Sequence, residues 1–232
     1  MLSIGDIRRI RLGHFVRPAE ESTTGRARAE DVLAYLVRHE RGLILLDTGL
    51  GHAGDDTEAW YEPVRVPLDE ALAAVGLVTS DVDVVVNCHL HFDHCGGNPL
   101  FAGRPLVCQR RELEAAGVEG YTVPELVDHP GARYEQLDGE AELMPGVLVV
   151  PTPGHVDGHQ SLVLLCEDGT VVLAGQSHDS SADFAADALA TSTHAQRNSA
   201  TLLATVTWME RLLALDPKRV CFAHDASVWE PV

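Results

Sequence analysis

The sequence predicts an α/β fold, an αββα sandwich in which two mixed β-sheets pack face to face and helices flank them. Three observations carry this expectation. Each half of the 232-residue chain holds a hairpin of apolar runs: 32–38 and 42–47 joined at His39-Glu-Arg-Gly42, then 161–166 and 171–174 joined at Glu167-Asp-Gly-Thr170. These runs are continuously apolar and do not alternate with polar residues, which is the pattern of strands buried on both faces. Between and after them lie segments with helical spacing, which supply the covering layers.

Taken in order, residues 1–10 lack an apolar core and a cleavage site, so no signal peptide is expected. Residues 50–67 mix charge with Gly and Pro and read as a loop. Helical spacing over 68–76 stops at Gly76, and the apolar strand 83–87 follows. A second helix is expected over 110–117 and another strand over 148–150. The clearest late helix spans 199–215, with Leu202, Leu203, Val206, Met209, Leu212 and Leu213 on one stripe, ended by Asp216-Pro217. No low-complexity linker divides the chain, so 1–232 is expected to be a single domain.

Composition narrows the function. At 45% hydrophobic residues the chain can bury a substantial core, and it has no apolar stretch long enough to cross a membrane as a helix. Seventeen basic against 35 acidic residues, a net charge of −18, argue against nucleic acid and anionic membranes as partners. A small-molecule substrate remains, and oligomeric state is not indicated. Five cysteines, an odd number with no CxxC, read as reduced thiols and a cytoplasmic location. Cys88 and Cys95, beside the richest motif, read as packing residues.

That motif is His89-Leu-His91-Phe-Asp93-His94, directly after the strand 83–87. Imidazole nitrogen suits zinc and similar divalent ions, and the carboxylate suits an ion that binds or activates water. One loop cannot supply all the ligands of a metal site, and two further strand ends offer more. His155 follows 148–150 in Pro151-Thr-Pro-Gly154-His155, and His224 follows the apolar run 220–223. Three strand ends each delivering histidine is the pattern of a metal site at one sheet edge.

With these residues the chain resembles the metallo-β-lactamase superfamily. Within it, H-L-H-F-D-H-C-G-G-N and T-P-G-H-V-D-G-H-Q-S are similar to stretches of the N-acyl homoserine lactone lactonases. The resemblance implies the αββα fold and two zinc ions, with iron, manganese and nickel left open by the ligand types. It implies that His89, His91 and His155 hold one ion, and that Asp93, His94 and His224 hold the other. The chain departs from the pattern where a metal-bridging Asp is expected after Gly175 and a Tyr three residues later. Gln176 and Asp179 occupy those positions, and both are carried as candidate ligands.

A pair of such ions would deliver hydroxide to the carbonyl of a lactone, ester or amide, with Asp93 as the catalytic acid–base residue. An N-acyl homoserine lactone is one candidate substrate. Thioester hydrolysis in the manner of glyoxalase II and a non-catalytic metal-binding role are the alternatives. The resemblance also gives Asp47 a role in holding a ligand histidine, with a turn cap as the rival reading. His159 is expected to support the His155 loop and His178 to line a pocket or the surface. Ser161 and Ser177 read as structural, and His14, His39, His52, His129 and His194 as solvated. The pocket is expected to be built from 13–30, 51–66, 118–135 and 178–198.

Overall fold

The structure, a computed structural model, describes residues 2–22, 24–197 and 207–231. Among these the strands form two mixed sheets. The first contains β1 (Ile7–Arg17), β2 (Arg28–His39), β3 (Gly42–Leu46), β4 (Val64–Arg65), β5 (Val84–Val86), β6 (Leu106–Gln109) and β7 (Tyr134–Leu137), in the order β4-β1-β2-β3-β5-β6-β7. Strands β1, β2 and β3 are antiparallel, and β3, β5, β6 and β7 run parallel.

The second sheet contains β8 (Ala141–Met144), β9 (Val147–Pro151), β10 (Gln160–Cys166), β11 (Gly169–Leu173), β12 (Pro217–Cys221) and β13 (Val228–Trp229), in the order β13-β12-β11-β10-β9-β8. Only β11 and β12 pair in parallel there.

Both hairpins of the sequence reading are present, and their continuous apolar character has the expected cause. On the inner faces, Tyr35, Val37, Ile44, Leu46 and Val86 share one core with Val149, Leu162, Leu164, Val171 and Leu173. Alternate residues point outward, because successive strand side chains face opposite ways. Leu36, Leu45 and Val85 meet Leu68 and Leu72 of the helix Leu68–Ala73. Val163, Val172 and Val220 meet Phe184 and Ala188 of the helix Ser181–Arg197, with Met209 and Leu212 of the helix Thr207–Leu213. The layers therefore run helix, sheet, sheet, helix.

Three expectations are corrected. Residues 50–67 hold the helix Asp55–Tyr61 and the strand β4, not a plain loop. That helix buries no residue, so it leaves no apolar stripe in the sequence; Asp55, Asp56 and Glu58 in its first turn favour it through the helix dipole. Residues 181–197 form a helix where a pocket loop was expected. Strand β1 was not anticipated, since arginines interrupt its apolar residues. Of the late helix expected over 199–215, residues 199–206 lie outside the described residues, and 207–213 are helical.

The topology gathers the chemistry. Strands β3 and β5 run parallel, as do β9, β11 and β12 through the antiparallel β10. Their carboxyl ends bear Asp47, the His89–His94 loop, His155, Gln176 and His224. Backbone bonds tie these ends across the sandwich, from Gln160 N–H to the Cys88 carbonyl (2.9 Å) and from Leu33 N–H to the Ala223 carbonyl (2.9 Å). Gly96 lets the motif loop lie against the loop after β3. A Cβ there would sit 2.0 Å from the Gly51 nitrogen.

Candidate metal centre

Two groups of donor atoms converge at this edge. In the first, His91 Nδ1 lies 3.0 Å from His89 Nε2 and 3.2 Å from His155 Nε2. In the second, Asp93 Oδ2 lies 3.4 Å from both His94 Nε2 and His224 Nε2, which are 3.1 Å from each other. The groups adjoin, with the His89 and His94 rings 4.1 Å apart between centroids.

The surroundings decide which nitrogen faces inward. His224 Nδ1 is 2.8 Å from the Asp31 carbonyl oxygen, which can only accept, so Nδ1 carries the hydrogen. His94 Nδ1 is 2.9 Å from Asp47 Oδ2 and donates in the same way. Each ring then turns Nε2 toward the other and toward Asp93. Two ring nitrogens and a carboxylate converging on one point are an arrangement a bound cation satisfies, and orienting partners of this kind are typical of metal-ligating histidine. Asp47 thus occupies the supporting position, and it also accepts from Cys88 N–H at 2.8 Å. Its backbone is left-handed, at φ 61°.

Electrostatics agree with that arrangement. Burial and the neighbouring imidazoles push His89 well below its ordinary range, burial lowers His91, and burial together with His91 and His94 brings His155 down to about 4. These rings are neutral near pH 7, the form that ligates. Burial alone would raise Asp93, but His94 and His224 outweigh it and hold Asp93 well below the carboxylate range. At His94, burial is outweighed by Cys88, Asp93 and Asp47, so the ring is raised well above its usual value.

A cavity of about 550 Å³ opens over the centre. His91, Asp93, His155 and Gln176 reach its floor, and Phe15, Tyr61, Phe92, Tyr121, Val123 and Pro124 form apolar walls. Three of the four expected segments contribute. Among the described residues, none of 178–198 lines this cavity.

Residues 27–224 match the family described as the metallo-beta-lactamase superfamily. The chain belongs to that superfamily. It is 36% identical over 154 residues to an N-acyl homoserine lactonase of Bacillus cereus, a match covering 61% of each chain. It is 34% identical over 163 residues to one from Bacillus thuringiensis, covering 65% of each. The matched region thus spans less than two thirds of the length of these curated relatives. A solved N-acyl homoserine lactone hydrolase, with N-hexanoyl-L-homoserine at its catalytic metal centre, superposes with a TM-score of 0.78 at 26% identity, over 97% of this chain and 94% of that one. A probable metal-dependent hydrolase of Staphylococcus aureus shares the fold at a TM-score of 0.68 and 15% identity, over 97% of this chain and 91% of that one.

Within this metallo-beta-lactamase scaffold the remaining candidates fall out by contact. His159 is buried; its Nε2 accepts from Gln176 N–H (3.0 Å), which leaves Nδ1 to donate to Thr152 Oγ1 (2.8 Å). Thr152 meets Ser161 Oγ at 2.8 Å, so Ser161 is a structural link. His178 packs edge-on to Phe184 and Trp208 and pairs with Asp187 at 3.2 Å. Gln176 Oε1 lies 3.2 Å from His94 Nε2. Asp179 pairs with Arg28 at 3.3 Å and belongs to none of the potential ion-holding groups among the described residues.

Burial pushes the Cys88 and Cys95 thiols up to about 12, and all five cysteines are free. His129, expected in solvent, is buried with Nε2 unpartnered.

Sequence reasoning missed Glu112. It is fully buried, and its Oε1 accepts from Leu90 N–H at 2.7 Å and Tyr121 Oη–H at 2.5 Å. The Tyr121 ring lies 4.7 Å from that of His91. Glu112 therefore braces both the motif backbone and the pocket wall. A Glu in a helix with charges of both signs, Arg110–Ala116, carries no local signal of this.

Proposed function

We propose that this chain is a metal-dependent hydrolase that opens a lactone, or cleaves an ester or amide, of a small molecule, with N-acyl homoserine lactones the foremost substrate class. The observation that carries the reading is the pair of adjoining donor groups beneath a cavity that His91, Asp93 and His155 reach and that Phe15, Tyr61 and Phe92 help to wall. The names of the lactonase relatives support the substrate class.

His89, His91 and His155 hold one divalent ion, and Asp93, His94 and His224 the other, zinc being the ion these donors suit best. When bound, such ions supply Lewis acidity toward a carbonyl and acidify water. The protein's own residues do the rest. Asp47 and the Asp31 carbonyl fix the His94 and His224 tautomers. Asp93 is, among the described residues, the one acid that both joins a donor group and lines the cavity. Kept ionised by its histidine neighbours, it orients the attacking water and passes the proton to the leaving oxygen. Phe15, Tyr61 and Phe92 give an apolar substituent of the substrate a surface to bury against.

The chain works as one domain, since both sheets share a core, and its free thiols fit a reducing compartment such as the cytoplasm. The test is a panel of lactones, esters and thioesters, assayed before and after chelation and after zinc is returned. Lactone or ester turnover that disappears on chelation and returns with zinc supports the proposal. Turnover of thioesters alone would overturn it.

A further inference from the structure

At the end of β11 the backbone is placed with little freedom. Gly175 is left-handed, at φ 58°, and a Cβ there would lie 2.5 Å from Cys88 Cβ. The next residue, Gln176, is held by its N–H to His159 Nε2 and is only 3% exposed. Its side chain has two different neighbours. Oε1 lies 3.2 Å from His94 Nε2, while Nε2 donates to Asp179 Oδ1 at 3.5 Å. Asp179 is in turn held by Arg28 (3.3 Å), and Arg28 by the buried Glu30 (2.6 Å).

An amide can be turned either way round, so the neighbours must decide. A carboxylate has no hydrogen to give, and Asp179 therefore admits only the NH₂ edge. Turning the amide over would set two oxygens against each other and aim N–H at the ligand nitrogens. The oxygen accordingly faces His94, which lies with His224 and Asp93.

We propose that Gln176 Oε1 is the fourth donor to the ion held by Asp93, His94 and His224, and that Asp179 is a positioning residue that keeps the amide oxygen turned toward it. The inference rests on the metal reading above. It has a consequence for loading. With a neutral amide at this position, Asp93 is the one carboxylate among the proposed donors, so the repulsion between two adjacent dications is offset by a single negative charge. The three neutral imidazoles of the other group fill first, and the Asp93 group fills in a separate, weaker step.

The experiment is zinc titration of the chelator-stripped full chain against a chromophoric chelator, which reads stoichiometry and stepwise affinity without any activity assay. Wild type should bind two ions in two resolved steps. Gln176→Leu should weaken the second step by roughly 10–100-fold and leave the first within about twofold, and the near-isosteric Asp179→Asn should weaken the second by about 10-fold. Gln176→Glu alone sets two carboxylates together, so it should tighten the second step less than Gln176→Glu combined with Asp179→Asn.

Equal second-step affinity in wild type, Gln176→Leu and Asp179→Asn would overturn the inference. So would uptake of both ions by wild type in one step, or a Gln176→Glu single variant as tight as the double. The metal reading itself fails only if wild type takes up no zinc.

Discussion

The histidine group and the Asp93 group touch, yet they are held by different means. His94 and His224 are almost fully buried, and each has its outer nitrogen fixed by an acceptor from a distant part of the chain, Asp47 and the Asp31 carbonyl. His91 and His155 open onto the cavity. His91 is steadied by the Tyr121 ring, which hangs on Glu112, and His89 Nδ1 meets the weak Cys88 thiol at 3.2 Å. The Asp93 group carries charge and has its rings oriented from outside the site; the other group is neutral, and its His91 and His155 line the cavity beside Asp93. The two groups thus divide between them the firmer and the looser means of orienting a ring.

Variants can break this division at either side. The largest effect is expected from removing a donor of the neutral group. His89→Ala or His155→Ala should take turnover to the background rate and release the ion of that group, measured by metal analysis beside the assay. Full activity in either variant would refute the assignment.

A more selective effect is expected from Asp47→Ala, which frees the His94 ring without removing a donor. Zinc affinity should fall roughly 10–100-fold, and only in the Asp93 group. An equal loss at both groups would mean that Asp47 stabilises the loop as a whole and does not orient His94.

Bracing of the neutral group should read out chiefly in stability. Glu112→Ala leaves Leu90 N–H and Tyr121 Oη–H without their acceptor, at about 1–3 kcal/mol for each buried group. At about 2–4 °C per kcal/mol for a chain of this size, thermal unfolding should come several degrees earlier. Tyr121→Phe removes one donor and leaves Leu90 paired, so its effect should be the smallest, about 1 kcal/mol. A Tyr121→Phe loss equal to that of Glu112→Ala would show that Leu90 does not depend on Glu112.

The sequence made the central hairpins legible because both faces of their strands are buried, which leaves unbroken apolar runs such as 42–46. Strand β1 was hidden because Arg8, Arg9 and Arg11, all exposed, interrupt its apolar residues. The helix Ser181–Arg197 was hidden because Phe184 and Ala188 carry its contact with the core, too few apolar residues to mark a stripe.

In the site, the donors themselves could be read, since the HxHxDH spacing and two strand-end histidines require only local geometry. Their supports could not. The partner of His224 is a main-chain carbonyl 193 residues away, which leaves no mark on residue type. Glu112 and Asp179 act through folded contacts that an acidic surface residue would share in sequence but not in space.

The most direct test of the account titrates zinc into the ion-free chain while lactone hydrolysis is followed in the same sample. The account predicts no turnover without zinc, and turnover that grows as the ions bind and reaches its plateau once both groups are filled. Full hydrolysis by the ion-free chain, or hydrolysis indifferent to added zinc, would contradict it.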